Sequence, residues 1–135
     1  MAKESGIGFA LSVDDAAGTL RTLSNDFSSI QFATPRGVQD VTGLDKSAIE
    51  RLLLLADFSC TLSAPALNDA TNQSHAVFKT VSSTSVARTT TLALSGQSLS
   101  CEVLYTDYQI TRGQDGSFTF TAPGVLADGT VPTWS

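Results

Sequence analysis

The residues of this sequence that could carry out chemistry are one histidine, two cysteines and many serines and acids. His75 has no cysteine or acid at a metal-ligand spacing, so no metal site is expected. Residues 96–100 lack the closing glycine of a Gly-x-Ser-x-Gly nucleophile elbow, and the sequence contains no glycine-rich phosphate loop. We therefore expect no enzyme activity and no cofactor, and a structural or binding role instead.

Cys60 and Cys101 both lie on the apolar phase of predicted strands. A buried free thiol is the ordinary state of such a cysteine. A disulfide stays open as the alternative, because both positions could face each other across one core. Nothing in the sequence, however, indicates an oxidising compartment.

Length and composition predict one domain over residues 1–135. The chain is 41% hydrophobic and 16% charged, with a formal net charge of −5 and a sequence pI of about 4.5. This negative charge argues against a lasting, sequence-independent grip on nucleic acid or on an anionic membrane. No apolar run approaches the roughly 20 residues of a membrane span, and residues 1–6 have no apolar signal core. We expect a protein that is made and kept in a cytoplasm.

The segment 44–56 has the pattern of a helix. Ser47 and Glu50 have the spacing of a capping box, in which the side chain of each residue accepts a hydrogen bond from the backbone N–H of the other. The apolar residues form two adjacent rows at helical spacing: Ala48, Leu52 and Leu55, and Ile49, Leu53 and Ala56. Four consecutive leucines exceed what one core-facing stripe needs. We predict a helix that covers a sheet and buries its surplus leucine against a loop or a partner.

Almost all of the remaining chain has the period of a strand. Alternating apolar residues are clearest at 7–13 and 58–64, and Pro65 stops the second of these runs. The last strands are connected by short turns and are predicted to form a meander. Strands are expected over 7–13, 19–23, 30–32, 38–41, 58–64, 86–94, 99–111 and 117–122. The predicted fold class is mainly β and antiparallel, with one flanking helix at about 44–56 and a long polar loop at about 66–85.

The longest predicted strand, 99–111, changes its apolar phase midway. Its apolar residues occupy odd positions as far as Tyr105 and even positions at Tyr108 and Ile110. A β-bulge near Thr106 and Asp107 would produce this change within one chain. Otherwise the strand runs past its own core and buries its second half against a neighbouring subunit.

Several phrases of the sequence follow one another in a recognisable order: an N-terminal strand, residues 34–43, the predicted helix, a strand that begins at Asp57, and the closing stretch 120–134. In this order the chain resembles the small major tail proteins, or tail tube proteins, of long-tailed bacteriophages. The resemblance implies a β-sandwich or half-barrel whose copies form rings of six. The rings stack into a hollow tube through which phage DNA passes.

The resemblance also implies a location and partners. The protein would belong to the virion, as part of the phage tail, after assembly in the cytoplasm of the bacterial host. Its main partner would be itself, with tape-measure, terminator and baseplate-type phage proteins as further partners. Passage of DNA would be transient and non-specific, and no membrane would be involved.

Three groups of residues are candidate sites for such an assembly. The surplus leucines of the helix and the second half of the long strand are expected at subunit interfaces: Leu52, Leu53, Leu54 and Leu55, and Tyr108 and Ile110. The long loop and the two chain ends are expected to make the contacts between stacked rings, because a loop of that length is usually functional or ordered by a partner. The loop candidates are Asn68, Asp69, Asn72, His75 and Phe78.

The third group concerns the lumen. DNA carries about one negative charge per 1.7 Å of duplex axis, so a wall of Lys and Arg would hold DNA that has to slide. We predict an acidic or neutral wall, with Asp40, Glu102 and Asp107 as candidates. The alternative is that these acids only keep the outer surface soluble.

Two other functions stay open. The first is another phage assembly protein, such as a tail terminator or a head decoration protein, which would use the same sandwich in a capped ring or a trimer. The second is a monomeric β-sandwich module that binds carbohydrate or protein through an exposed aromatic patch. The aromatic residues fall mostly on inward strand phases, which argues against the second.

Overall fold

The computed structural model describes Ser5 and residues 7–135, so most of the N-terminal chain end that was expected to contact stacked rings, residues 1–4 and 6, lies outside the described residues. Within the described part, strands account for most of the regular structure. They are β1 (Ala10–Asp14), β2 (Leu20–Thr22), β3 (Ser29–Ala33), β4 (Arg36–Asp40), β5 (Arg51–Ala56), β6 (Ser59–Ala64), β7 (Arg88–Leu94), β8 (Gln97–Tyr105), β9 (Gln109–Arg112) and β10 (Phe118–Leu126). A 3-10 helix covers Ser24–Asp26, and the α-helix α1 covers Ser74–Phe78.

Eight of the strands form one antiparallel sheet, in the order β2-β1-β7-β8-β10-β6-β3, with β9 pairing to β10 beside β8. The other two strands, β4 and β5, pair only with each other. The predicted fold class, a mainly β, antiparallel sandwich or half-barrel, is confirmed. The predicted meander of the last strands is also present, since β7, β8 and β10 are neighbours in the sheet.

The main sheet has a core face and an outer face, which follow from the alternation of residues along each strand. The core face carries Leu11 and Val13 of β1, and its buried residues continue across β7, β8, β10 and β6. Outward positions are mostly Ser and Thr, as at Thr89, Thr91 and Ser100. The period-2 pattern therefore identified the inward residues of β1 and β6, whereas Ile7, at the start of the predicted strand 7–13, precedes β1 and is 92% exposed.

The phase change of the long strand is a β-bulge. Tyr105 pairs with Gly124 of β10, and Gln109 pairs with Thr121 of the same strand. The chain takes one residue more between Tyr105 and Gln109 than β10 takes between Thr121 and Gly124, which defines a bulge. Of the two explanations left open for the phase change, the bulge near Thr106 and Asp107 is the correct one, and both halves of the long strand pair with β10 of the same subunit.

The last strand is longer than predicted, because it continues through Pro123 to Leu126. Proline lacks the N–H that a central strand donates, so it is normally excluded there. Pro123 lies opposite the bulge, where its carbonyl accepts from the N–H of Thr106 at 3.2 Å. The proline is tolerated because the neighbouring strand is interrupted at that point.

The predicted helix at 44–56 is wrong. Residues 51–56 form β5, which pairs with β4 in a two-stranded ribbon, and residues 43–49 form its tip. We call residues 36–56 the arm. Tertiary pairing outweighed the helical pattern here: Val38 lies opposite Leu53, and Gln39 lies opposite Leu52.

The α-helix lies instead in the segment that was predicted to be a long polar loop. Val77 and Phe78 of α1 are fully buried against the core face. Arg88 of β7, itself buried, donates to the carbonyl of Val77 at 3.0 Å and to Thr80 Oγ1 at 2.9 Å, which ties the segment to the sheet. We call residues 66–87 the plug, because this segment closes the core face.

The two cysteines are free and buried. Cys60 lies in one row with Gly124 and Tyr105, whereas Cys101 lies four residues before Tyr105 on β8. At about 3.3 Å per residue this separation is too long for a disulfide. The ordinary state, a buried free thiol, is therefore the correct one.

Candidate assembly interface

The arm is a hairpin outside the main sheet, and its two ends lie next to each other. At its base the N–H of Asp57 donates to the carbonyl of Pro35 at 3.0 Å. Next to the base, Arg36 donates from Nε and Nη2 to the carbonyl of Leu54, at 3.1 and 2.8 Å. Every residue from 34 to 55 except Thr42 is exposed. The arm is therefore built and held by its own hydrogen bonds, and the subunit does not cover it.

The arm presents apolar side chains on both of its faces. Leu53 lies on one face with Val38, while Leu52 and Leu54 lie on the other, beside Gly37. Leu55 projects at the register shift between the two strands and is 89% exposed. Contiguous exposed apolar surface of this kind marks an interaction site in a soluble protein. The leucines predicted to form an interface are thus available to a partner, although they lie on a ribbon and not on a helix.

Sequence reasoning missed several exposed apolar residues of the arm. They are Val38, Val41, Leu44 and Ile49, all of which are exposed in the subunit. The signal that could have found them is the predicted strand at 38–41, followed by Thr42, Gly43 and a second apolar run. Such a pattern is typical of a hairpin.

A groove of about 450 Å³ lies beside the base of the arm. Leu54 and Leu55 line it from the arm, and Val131 and Pro132 line it from the C-terminal segment. The groove therefore continues the apolar surface of the arm onto the body of the subunit.

The C-terminal residues are tied to the main sheet. Ser135 exchanges two backbone hydrogen bonds with Ser98 of β8, at 2.9 and 3.0 Å, and Trp134 forms a bridge with Leu99. This pairing occupies the edge of β8 that β10 does not reach. The C-terminal residues, which were expected to contact a stacked ring, are thus already paired with β8 of their own subunit.

The two strand residues predicted at an interface have different environments. Tyr108 packs on the subunit's own core, with its ring centroid 5.0 Å from that of Phe120 and 5.9 Å from that of Phe78. Ile110 is 44% exposed and shares its face with the exposed Phe118. Of the two, Ile110 is the one whose side chain is free to meet another subunit.

The plug residues predicted to contact stacked rings also fall into two groups, those that hold the plug in place and those that are exposed. Phe78 is fully buried, so it cannot make that contact from this fold. Asn68 donates to Asp26 Oδ1 at 2.7 Å, and His75 Nδ1 lies 3.0 Å from Tyr108 Oη, so both side chains hold the plug in place. The exposed members of the group are Asp69 and Asn72.

The three acids proposed for the lumen lie in three different places. Asp40 is in the arm, where hydrogen bonds from the side chain and backbone of Thr42 lower the pKa of its carboxyl. Asp107 lies at the bulge and accepts from the N–H of Tyr108 at 2.8 Å. Glu102 lies on the outer face of the sheet, where Thr89 Oγ1 donates to it. Gln109, an outward residue of β9, donates from Nε2 to Asp107 Oδ2 at 2.9 Å, so Glu102 and Asp107 both lie on the outer face of the sheet.

The outer face of the eight-stranded sheet has a distinctive composition. Register pairs place Glu102 and Asp14 on it, among many Ser and Thr residues. No Lys or Arg occupies an outward position on β1, β3, β6, β7, β8 or β10. This face is thus acidic to neutral and carries no basic track.

Within Ser5 and residues 7–135, no group of three or more His, Cys, Asp or Glu side chains is placed to hold a metal ion. The same part of the chain contains no helix that is long and apolar enough to cross a membrane.

Known structures with the same fold come from tail particles. The chain superimposes on a protein from the tail of an empty gene transfer agent particle, refined with C6 helical symmetry, with a TM-score of 0.78 at 12% identity; the match covers 98% of this chain and 99% of that one. The chain has the phage tail protein fold. A chain from the native gene transfer agent virion gives a TM-score of 0.74 at 11% identity, with 98% and 99% covered.

A third neighbour comes from the baseplate of the anti-feeding prophage, solved with six-fold symmetry. It gives a TM-score of 0.64 at 11% identity and covers 100% of this chain and 97% of that one. No protein-family model and no curated protein matches the sequence. The resemblance to phage tail proteins expected from the sequence is confirmed for the fold.

Proposed function

We propose that this chain is a structural virion protein whose copies form six-membered rings that stack into a tail tube, with the arm as the main contact between copies. The observation that carries the proposal is the arm itself. It is an exposed two-stranded ribbon with leucines on both faces, and its own subunit leaves it uncovered. Two structures with the same fold were determined with six-fold symmetry, which supports the ring.

We propose that the arm binds a second copy of this chain. An apolar arm that binds copies of its own subunit gives a heterologous contact, which closes into a ring or continues as a stack according to its rotation. The arm carries three charges of each sign, Arg36, Arg51 and Lys46 against Asp40, Asp45 and Glu50, so it brings no net charge to the surface of a neighbouring copy.

The outer face is the surface we assign to the lumen. Its Ser and Thr residues and the carboxylate of Glu102 give DNA no basic track to bind, which suits passage without retention. Asp107, whose carboxylate accepts from the outward side chain of Gln109, is assigned to the same face, whereas Asp40 lies in the arm and is assigned to the outer parts of the assembly. Tape-measure, terminator and baseplate-type proteins would then meet the tube at its bore and its two ends, within a virion assembled in the host cytoplasm.

Assembly of the purified protein tests the proposal. Sedimentation and electron microscopy should show rings or tubes for the natural sequence. Leu53→Glu and Leu54→Glu, which alter opposite faces of the arm, should both remain folded monomers, because each places a charge in a buried contact. Leu104→Glu is the matched control, since Leu104 on the outer face has nearly the same exposure as Leu54, 43% against 45%. This control should still assemble.

Two results would overturn the proposal. The natural sequence could stay monomeric at high concentration, or both arm variants could assemble as well as the natural sequence. Rings that never stack would instead favour a terminator or baseplate-type role. A reconstruction of the tube also decides the lumen: a bore lined by a surface other than the outer face would refute that assignment.

A further inference from the structure

The strand β9 has a neighbour on one side only. It pairs with β10, and no described strand lies along its other side, because β7 begins only at Arg88, opposite Val103 of β8. An open strand edge presents unpaired N–H and C=O groups and accepts a further strand. We propose that the open edge of β9 receives β4 of the arm of a second copy, in antiparallel pairing that sets Arg112 of one copy beside Asp40 of the other. This inference rests on the proposed function, since it names the surface that receives the arm.

The hydrogen bonds of the β9–β10 hairpin show which backbone groups of β9 are unpaired. The N–H of Gly113 donates to the carbonyl of Ser117 at 2.7 Å, in the same register as the β9–β10 pairs. Hydrogen-bonded pairs alternate along an antiparallel ladder, so Thr111 also bonds to β10. The backbone groups of Ile110 and Arg112 then point away from β10, toward the open edge. β9 therefore offers two residues to another strand.

The side chains at this edge are apolar and positively charged. Ile110 and Phe118 are each 44% exposed, and the register places them on one face with Arg112. Among the ion pairs of the described residues, none involves Arg112. Exposed apolar surface next to an unpaired charge is suited to a strand that brings an apolar residue and an acid.

The two end strands of the main sheet also have open edges, but they are less suited to a charged partner. β2 carries Arg21, which already pairs with Asp15 of the same subunit at 3.1 Å. β3 covers Ser29–Ala33 and contains no charged residue. Charge complementarity therefore favours β9 over both end strands.

The arm has the complementary edge in β4. The N–H of Val41 donates to the carbonyl of Glu50 at 3.0 Å, so by the same alternation the backbone groups of Val38 and Asp40 point away from β5. β4 thus offers an apolar residue and an acid at its open edge. The open edge of β5 offers Arg51 instead, and two arginines opposite each other on paired strands repel. β4 is therefore the edge assigned to β9.

The two surfaces lie at opposite ends of the main sheet. The base of the arm is level with the pair of Ser59 and Val125, whereas β9 begins opposite Thr121 and ends opposite Phe118. The arm does not pair with β9 of its own subunit. A contact between these surfaces in two copies is therefore heterologous, and it can repeat from copy to copy.

Cross-linking between copies tests the contact directly. Val38→Cys and Ile110→Cys are prepared as separate monomers and mixed, and a short bismaleimide should link one to the other as a dimer. Neither variant alone should form linked dimers, because the contact joins unlike surfaces. Val38→Cys mixed with Leu104→Cys is the matched control, since Leu104 on the outer face is 43% exposed against 44% for Ile110. The two natural cysteines are buried, which protects them from the reagent.

A proline at position 110 separates backbone pairing from side-chain packing. The N–H of Ile110 points away from β10, so Ile110→Pro removes a donor from the open edge and leaves the hydrogen bonds of the hairpin in place. This variant should raise the protein concentration at which tubes form by about tenfold. Ile110→Val keeps the N–H and should assemble as the natural sequence does. Circular dichroism and thermal unfolding check that both variants are folded.

Exchange of the two charges tests the pair at the edge. Arg112→Glu and Asp40→Arg should each raise the concentration for tube formation by about tenfold, because each variant sets like charges beside one another. The double variant Arg112→Glu/Asp40→Arg should assemble better than either single variant, although Thr42 has lost its hydrogen bonds to Asp40. No recovery in the double variant would contradict the pair.

The outcomes separate this inference from the proposed function. If tubes form while the mixed cysteine variants stay unlinked, or while Ile110→Pro and Arg112→Glu both assemble like the natural sequence, the inference is overturned and the proposed function stands. If no tubes form, the proposed function fails. Linked dimers of Val38→Cys with Ile110→Cys would then still support the contact, and their absence would overturn it.

Discussion

The plug and the arm are both inserted between strands of the main sheet, and their sequences and environments are opposite. The plug is rich in Asn, Asp, Thr, Gln and Ser, yet it places Val77 and Phe78 where they have no solvent exposure. The arm contains four consecutive leucines, yet almost all of it is exposed. Apolar content alone therefore does not identify the interior of this subunit.

The contrast separates a segment that the subunit buries from one that it leaves exposed. A few anchors in a polar segment complete the core of the subunit, because Arg88, Asp26 and the aromatic rings hold the segment in place. The leucines of the arm have no such partners in the subunit. If the proposed function is correct, their interior is formed by neighbouring copies.

The largest expected difference between the two regions is in stability. Phe78→Ala removes a buried ring that packs on Tyr105, Tyr108 and Phe120, and should lower the free energy of unfolding by about 3–5 kcal/mol. Leu55→Ala, at an exposed position of the arm, should change it by less than about 0.5 kcal/mol. Urea unfolding of the monomer measures both. Equal losses would show that the arm is part of the subunit's core.

Substitution of two glycines, one in the core and one in the arm, should give a smaller difference in stability. A Cβ at Gly124 would lie 2.5 Å from Val103 Cγ1 and 3.1 Å from Cys60 Sγ, whereas a Cβ at Gly37 would lie 3.5 Å from Leu54 Cδ1. Gly124→Ala should cost about 1–3 kcal/mol of stability through overpacking. Gly37→Ala should leave stability unchanged, because 3.5 Å is an ordinary contact. Thermal unfolding that gives the reverse order would contradict the assignment of core and arm.

The smallest expected effect is a dependence on pH. Burial raises the pKa of the Cys60 thiol from 9.0 to about 11. The unfolded chain loses this proton at lower pH than the folded one, so the stabilisation is complete below about pH 9 and is lost between about pH 9 and 11. The loss should be on the order of 1–2 kcal/mol.

Cys60→Ala isolates this contribution. Its unfolding free energy should fall less steeply from pH 9 to 11 than that of the natural sequence, although the burial that raises the pKa of Tyr105 acts in both proteins. Parallel pH profiles would contradict the prediction. The arm responds to acid pH instead. Hydrogen bonds from Thr42 lower the pKa of the Asp40 carboxyl, so these bonds are lost only when acid protonates the carboxylate.

Much of the sheet could be predicted from the sequence, because its strands are covered on one face only. The alternation at Cys60, Leu62 and Ala64 identifies the inward residues, and the phase change after Tyr105 locates the irregularity, which the strand pairing shows to be a bulge. Both signals come from residues that are close together in the sequence. The extension of β10 through Pro123 could not be predicted in this way, since it depends on the interruption of a neighbouring strand.

The arm could not be predicted for a different reason. The segment 47–56 matches a helix by its capping spacing and by its apolar rows, and nothing within it indicates pairing to residues 36–40. The burial of Phe78 was equally hidden, because its partners Tyr105 and Phe120 come from distant strands. Of the candidate interface, sequence reasoning identified the exposed leucines and Ile110, but not their backbone conformation.

The strand order has a consequence for how the subunit forms during synthesis. The central strands β7, β8 and β10 come late in the chain, and β1 must wait for β7 before Leu11 can pair with Leu92. Sheets dominated by such distant pairings fold slowly. The leucines of the arm emerge from the ribosome well before the strands that complete the sheet, and the incomplete chain exposes them together with unpaired strand edges. Lower growth temperature or a holding chaperone should therefore raise the yield of soluble subunit, more than it does for a helical protein of the same length.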